Sequence, residues 1–162
     1  MRQNVGMSTE TGLKARIQAD IAEAVRAGDE LTKSTLRMAL AAIMNAEVAG
    51  SEAVVLSDEQ IVSVLRSESK KRAESAEIYE QAGRVESAAK ERGEIVIIDR
   101  YLPAAMDAAA LAAIVAEEVT VAAGNGQSGP KAMGAVIKAV KERVGASADG
   151  AAIAAAVKSA LA

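Results

Sequence analysis

Neither histidine nor cysteine occurs in the 162 residues, so the groups able to do chemistry reduce to carboxylates, lysines, arginines, hydroxyls and two tyrosines. Their absence removes imidazole and thiolate metal sites, the commonest general base near neutral pH, and triads of the Ser-His-Asp or Cys-His kind. It also excludes disulfides and leaves the redox compartment open. The surviving groups gather in two places. From Arg66 to Arg100, acidic and basic residues occur in equal number. Within this tract Lys70, Lys71, Arg72, Tyr79 and Arg84 form one candidate recognition surface, where the ring can stack and the cations can meet phosphate or carboxylate. The plainer reading is a self-pairing helical hairpin. In that reading Lys70 with Glu74 and Lys90 with Glu94 stand at i to i+4, each pair contributing about 0.2–0.5 kcal/mol.

Arg72 and Arg92 also fall on apolar stripes, which predicts a buried network with Glu68 and with Glu91 or Glu94 that fixes helix register. Glu91 and Glu94 form an acid-base or metal-ligand pair only on paper. Two glutamates three apart arise by chance in a chain with 22 acidic residues, and no neutral metal ligand accompanies them. The second gathering is Gly126 to Gly134 with Lys131, Lys138 and Lys141. A helix opening after a Gly-rich loop offers amide hydrogens and a positive dipole end, and the three lysines fall near one face. The alternative is an ordinary loop with solubilising lysines, since no Walker-type pattern is present. No cofactor and no metal are expected.

These side chains need helices to position them. Half the residues are hydrophobic but only 1% are aromatic, so the core is built from Ala, Val, Ile, Leu and Met, a composition suited to close-packed helices. Leu13, Ile17, Ile21 and Val25 recur every four residues in a first helix from Thr11 to Ala27, stopped by Gly28. A second, Glu30 to Ala49, turns Leu36, Leu40, Ile43 and Met44 to one side and ends at Gly50. Ser57 and Gln60 spell a capping box for a third helix, Asp58 to Gln81, stopped by Gly83. The fourth, Val85 to Leu102, carries Val85, Ala88, Ala89, Ile95 and Val96 with Arg92 among them. Pro103 disfavours helix in the residue before it. Beyond it, Asp107 to Ala123 and Lys131 to Val144 are helical, with Pro130 in the first turn of the latter, and Asp149 can cap a last helix through Leu161.

The expected fold is all-α, an N-terminal four-helix unit over residues 10–103 followed by a small three-helix bundle over residues 104–162. Residues 1–9 read as a disordered arm or an alternative-start extension. No stretch reaches the roughly 18 uncharged apolar residues of a membrane span and the start lacks a signal peptide's apolar segment, so a cytoplasmic protein with no membrane partner is expected. A formal charge of -3 gives no global attraction to nucleic acid, so any such role must rest on a local patch.

Several strings, taken in order, resemble the YqeY family, small proteins related to the tail of the GatB subunit of tRNA-dependent amidotransferase. They are Thr35-Leu36-Arg37 with Ala42-Ile43 and Glu47, Lys70-Lys71-Arg72-x-Glu74-Ser75-x-x-x-Tyr79, and Ala82-Gly83-Arg84. Then come Glu91-x-x-Glu94, Tyr101-Leu102-Pro103, Met133-Gly134-x-Val136, and Ala148-Asp149-Gly150 ahead of Val157-Lys158. One departure is Ile137, where the related tail usually has a second Met, an exchange that keeps the apolar volume. The resemblance implies a helical N-terminal unit and a GatB-tail-like C-terminal bundle. It also implies a non-catalytic accessory near tRNA or an amidotransferase, because in the larger enzyme the catalytic sites lie elsewhere and the tail engages tRNA. A carbon-nitrogen ligase activity with glutamine as amido donor reads as a label inherited from that enzyme. The alternative is a protein-protein module docking on a translation enzyme.

Overall fold

Gly28 stops the first helix as expected. It takes the left-handed conformation at φ 69°, which costs glycine nothing, and lets Asp29 N donate to Ala24 O at 2.9 Å. The computed structural model that shows this describes residues 12–162, so the reading of residues 1–9 as a disordered arm lies outside the described residues. Among those described, the chain forms seven α-helices and no strand: α1 Leu13–Ala27, α2 Glu30–Glu47, α3 Asp58–Gln81, α4 Val85–Asp99, α5 Ala108–Gly124, α6 Met133–Val144 and α7 Gly150–Leu161. They fall into two compact units that meet in sequence between Leu102 and Pro103.

In the first unit Ile17, Leu36, Ile43, Ile61, Leu65 and Ile98 are fully buried, each contributing about 1.5–3 kcal/mol by leaving water. The capping box forms in both directions, with Gln60 N donating to Ser57 Oγ at 3.3 Å and Ser57 N to Gln60 Oε1 at 2.9 Å. Next to it Asp58 serves a second helix. Gly12 has no side chain to cap α1, and Asp58 Oδ1 accepts from Leu13 N at 3.0 Å instead.

Two helices end earlier than the apolar pattern suggests. α2 stops at Glu47, not Ala49, because the returning loop places Val54 N on Glu47 O at 2.9 Å. α4 stops at Asp99, not Leu102, because Tyr101 and Leu102 donate three residues back, to Ile98 O and Asp99 O, tightening the chain ahead of Pro103. Val25, Met44, Val85 and Val96, expected inward, are exposed. In α4 the buried face is Ala88, Glu94, Ile97 and Ile98. The stripe through Val85, Ala89, Arg92 and Val96 is its opposite side, since Arg92 lies two residues and therefore about 200° from Glu94.

The second unit packs Leu111 and Val115 of α5 against Val136 and Val140 of α6 and Ile153 and Val157 of α7. Asp107 caps α5 through Ala109 N, and Asp149 caps α7 through Ala152 N at 2.7 Å. Pro130 opens a separate 3₁₀ turn, Gly129–Ala132, before α6 begins at Met133, so Lys131 lies on that turn and not in α6. Ala132, fully buried, anchors the turn. No single helix among the described residues is long and apolar enough to cross a membrane.

Ser57→Ala removes one direction of the capping box and is expected to lower stability by about 1 kcal/mol. Urea unfolding followed by helical circular dichroism checks it, and an unchanged midpoint contradicts the cap's contribution.

Candidate functional site

The charged tract folds into the α3 and α4 hairpin, and its centre is a buried ion-paired layer. Arg72 is 5% exposed. Its Nε donates to Glu94 Oε2 at 2.8 Å across the hairpin, and its Nη1 donates to Glu68 Oε2 at 2.9 Å and to Glu68 O at 3.1 Å one turn earlier. Small residues flank the layer: Ala76 on α3 and Ala88 on α4 are buried, which lets the two backbones approach closely. Arg72 therefore drops out of the proposed recognition surface, because its guanidinium faces the partner helix and not solvent. Arg92 does not join the network. It is exposed and bonds to Glu80.

Burial pushes the Glu68 carboxyl up, but the hydrogen bonds from Arg72 and Lys71 outweigh it and hold the group below its ordinary value. On Arg72, burial acts to lower the pKa and is outweighed by the bonds to Glu68 and Glu94, which raise it. Glu94 is committed to Arg72, so Glu91 and Glu94 do not make an acid-base pair. Nor is Glu94 available to Lys90, as the i to i+4 spacing suggested. Among the described residues no group of three or more Asp or Glu gathers in a way that could hold a metal ion.

The rest of the first candidate surface is dispersed. Lys71 bonds Glu68 at 3.0 Å. Lys70 is exposed, with no carboxylate at salt-bridge distance among the described residues, yet it stands nine residues from Tyr79 on α3 and so about 180° around the helix from it. Tyr79 and Arg84 do come together: the Arg84 guanidinium sits 5.0 Å from the ring centroid. Gly83 at φ 72° makes the turn possible, and Arg84 N closes it on Tyr79 O at 2.8 Å. This cation-π pair latches the hairpin tip.

In the second unit the basic residues divide by task. Arg143 bonds Glu117 at 2.8 Å and Glu118 at 2.9 Å, tying α6 to α5. Lys131, Lys138 and Lys141 are all exposed, with no carboxylate at salt-bridge distance among the described residues. Lys138 and Lys141 stand about 60° apart on α6. Lys141 reaches over the first turn of α7, its Nζ lying 3.9 Å from where a Cβ on Gly150 would be.

One polar cluster was not anticipated from sequence. Tyr101 is buried, its hydroxyl donates to Asp20 Oδ2, and the Arg16 guanidinium lies 4.7 Å from its ring centroid. Burial and the Asp20 carboxylate both push the phenol pKa up. The local signal is present: Arg16 and Asp20 sit one turn apart on α1, off its apolar stripe. Their partner, 81 residues beyond Asp20, is not legible from periodicity.

A model of the family described as YqeY, Yqey-like protein, matches residues 14–161. No curated protein matches the chain.

The Glu68 shift sets an acid dependence. Its native pKa is held below the ordinary 4.5, so its contribution is complete above pH 4.5 and is lost as pH falls through the lowered native value. Urea midpoints measured down the acid range should decline less steeply in Glu68→Gln than in the wild type. Equal slopes contradict the assignment.

Proposed function

Because this chain belongs to the YqeY family over nearly its whole length, we propose that it is a non-catalytic helical binding module that acts near tRNA in the cytoplasm, as a weak binder or an accessory to translation enzymes. The observation that carries the reading is the division of the basic residues. Arg72, Lys71, Arg92 and Arg143 are engaged by carboxylates. Lys131, Lys138 and Lys141 are exposed on the second unit, which in this reading is the part akin to the GatB tail. Unpaired surface lysines lose nothing when they meet phosphate and release its counterions. With a formal charge of -3 over the chain, attraction would be local and affinity modest. Tyr79 with Arg84, and Lys70, supply secondary contacts.

A protein partner, an amidotransferase or another translation enzyme, is the second reading. It is favoured by Ile78, Val85 and Val96, large apolar side chains left exposed along the hairpin. A glutamine-dependent carbon-nitrogen ligase activity belongs in this reading to the larger amidotransferase.

Titration of tRNA at two salt concentrations tests the proposal. Affinity should fall as salt rises. Replacing Lys131, Lys138 and Lys141 by Ala should weaken binding and reduce the salt slope by about one for each phosphate no longer neutralised. Absence of binding at low salt, or an unchanged slope in the triple variant, overturns it. Binding to a purified amidotransferase in place of RNA favours the second reading.

A further inference from the structure

Where α4 runs into Tyr101, the first unit holds a cleft of about 290 Å³ between α1, the start of α2 and the end of α4. Its walls carry Arg16, Asp20 and Glu23 from α1, Asp29 at the start of α2, and Arg100 with Tyr101. Most of these groups already have work inside the protein. Asp29 caps α2, accepting from Thr32 N at 3.0 Å and from Thr32 Oγ1 at 2.7 Å. Asp20 accepts the Tyr101 phenol, Glu23 pairs with Arg26 at 2.6 Å, and Arg16 lies over the Tyr101 ring. Arg100 differs. Its side chain is exposed at the cleft and has no carboxylate within salt-bridge distance among the described residues, and its charge reaches Asp29 only through space, adding to the Thr32 hydrogen bonds in lowering that carboxyl's pKa.

This distribution of charge selects against simple ions. An anion that reaches Arg100 also meets the field of Asp20, Glu23 and Asp29, and an organic cation that reaches those carboxylates meets Arg16 and Arg100. Only a molecule bearing both charges is attracted by both parts of the wall. We propose that the cleft binds a small zwitterion of α-amino-acid size, its carboxylate on the Arg100 guanidinium and its ammonium toward Asp20 and Glu23.

The surroundings fit that occupant. Arg presents paired N–H groups in the fork that a carboxylate matches with two parallel hydrogen bonds. Tyr101 is a fixed wall, held at its hydroxyl by Asp20 and across its ring by Arg16. Ala24 and Ala27 also line the cleft and leave room for a short aliphatic side chain. The volume of about 290 Å³ lies just below the range, about 300–1,000 Å³, of drug-sized ligand pockets, which suits a molecule of a few heavy atoms. The assignment is independent of nucleic-acid binding, so the two can fail separately.

Titration of the full chain with L-alanine, followed by the amide signals of Thr32, Arg100 and Tyr101, should give saturable shifts in the millimolar range. Acetate and methylammonium, each carrying one of the two charges, should give none at the same concentrations. Arg100→Gln alters a side chain with no ion pair among the described residues and should weaken L-alanine binding by about tenfold or more, while Lys90→Gln leaves it unchanged. Lack of saturable shifts with L-alanine, equal binding of acetate or methylammonium, or an unaltered affinity in Arg100→Gln overturns the proposal.

Discussion

The guanidinium of Arg72, bonded across the hairpin to Glu94 and along α3 to Glu68, is the contact on which the longer half of the first unit depends. α3 runs for 24 residues, but the apolar core reaches it through Ile61, Val64 and Leu65 of its first two turns and reaches α4 through Ile97 and Ile98. Away from that core the hairpin has two small buried residues, Ala76 and Ala88, and the charged layer between them and the core. Alanines let helices approach but do not choose a register. Taking ions out of water costs several kcal/mol each, and their mutual attraction offsets this only with good geometry and additional hydrogen bonds. The layer therefore acts on register more than on net stability: a slip of α4 along α3 takes Glu94 away from the buried Arg72 and leaves it Glu68 alone.

That constraint decides which charges remain for function. A tract with equal numbers of acids and bases looks from composition like either a solvated surface or a binding face. Once Arg72 and Lys71 are engaged by Glu68 and Glu94, and Arg92 by Glu80, the hairpin is largely self-neutralised. Its free features are the Tyr79 and Arg84 latch and the exposed apolar side chains near the tip. Among the described residues Lys131, Lys138 and Lys141 of the second unit have no carboxylate at salt-bridge distance, and on the hairpin Lys70 shares that state. Arg100 stands out on the same ground, with no carboxylate at salt-bridge distance among the described residues in a cleft where Asp20, Glu23 and Asp29 have hydrogen-bonded partners.

Much of this is legible in the sequence where the cause is local. Ser57 and Gln60 mark the start of α3 and Gly83 its end, both at the residues observed, because capping and left-handed turns are decided by residues a few positions apart. The phase of α4 departs from its apolar pattern for an equally physical reason. Its inward face carries Glu94 and its outward face carries Val85 and Val96, so hydrophobicity points the wrong way. Only the pairing with Arg72, 22 residues earlier, makes a buried glutamate favourable. Lys138 and Lys141 are readable because they alternate with Val136, Val140 and Val144 at helical spacing. The Asp20 and Tyr101 bond is not, since its partners come from opposite ends of the unit. The strings that carry the family resemblance supply much of this frame: Leu36, Ile43, Arg72, Glu94 and Tyr101 are all buried.

Arg72 and Glu94 thus act as a buried structural pair and not as a binding surface, and urea unfolding of Arg72→Met, Glu94→Leu and the double variant tests this most directly. Arg72→Met should cost about 3–5 kcal/mol by stranding Glu94, Glu94→Leu should cost less because Glu68 still pairs with Arg72, and the double variant should recover most of the stability lost in Arg72→Met. A cost of Arg72→Met below about 1 kcal/mol, as for an exposed pair, or a double variant whose cost is the sum of the two, would contradict it.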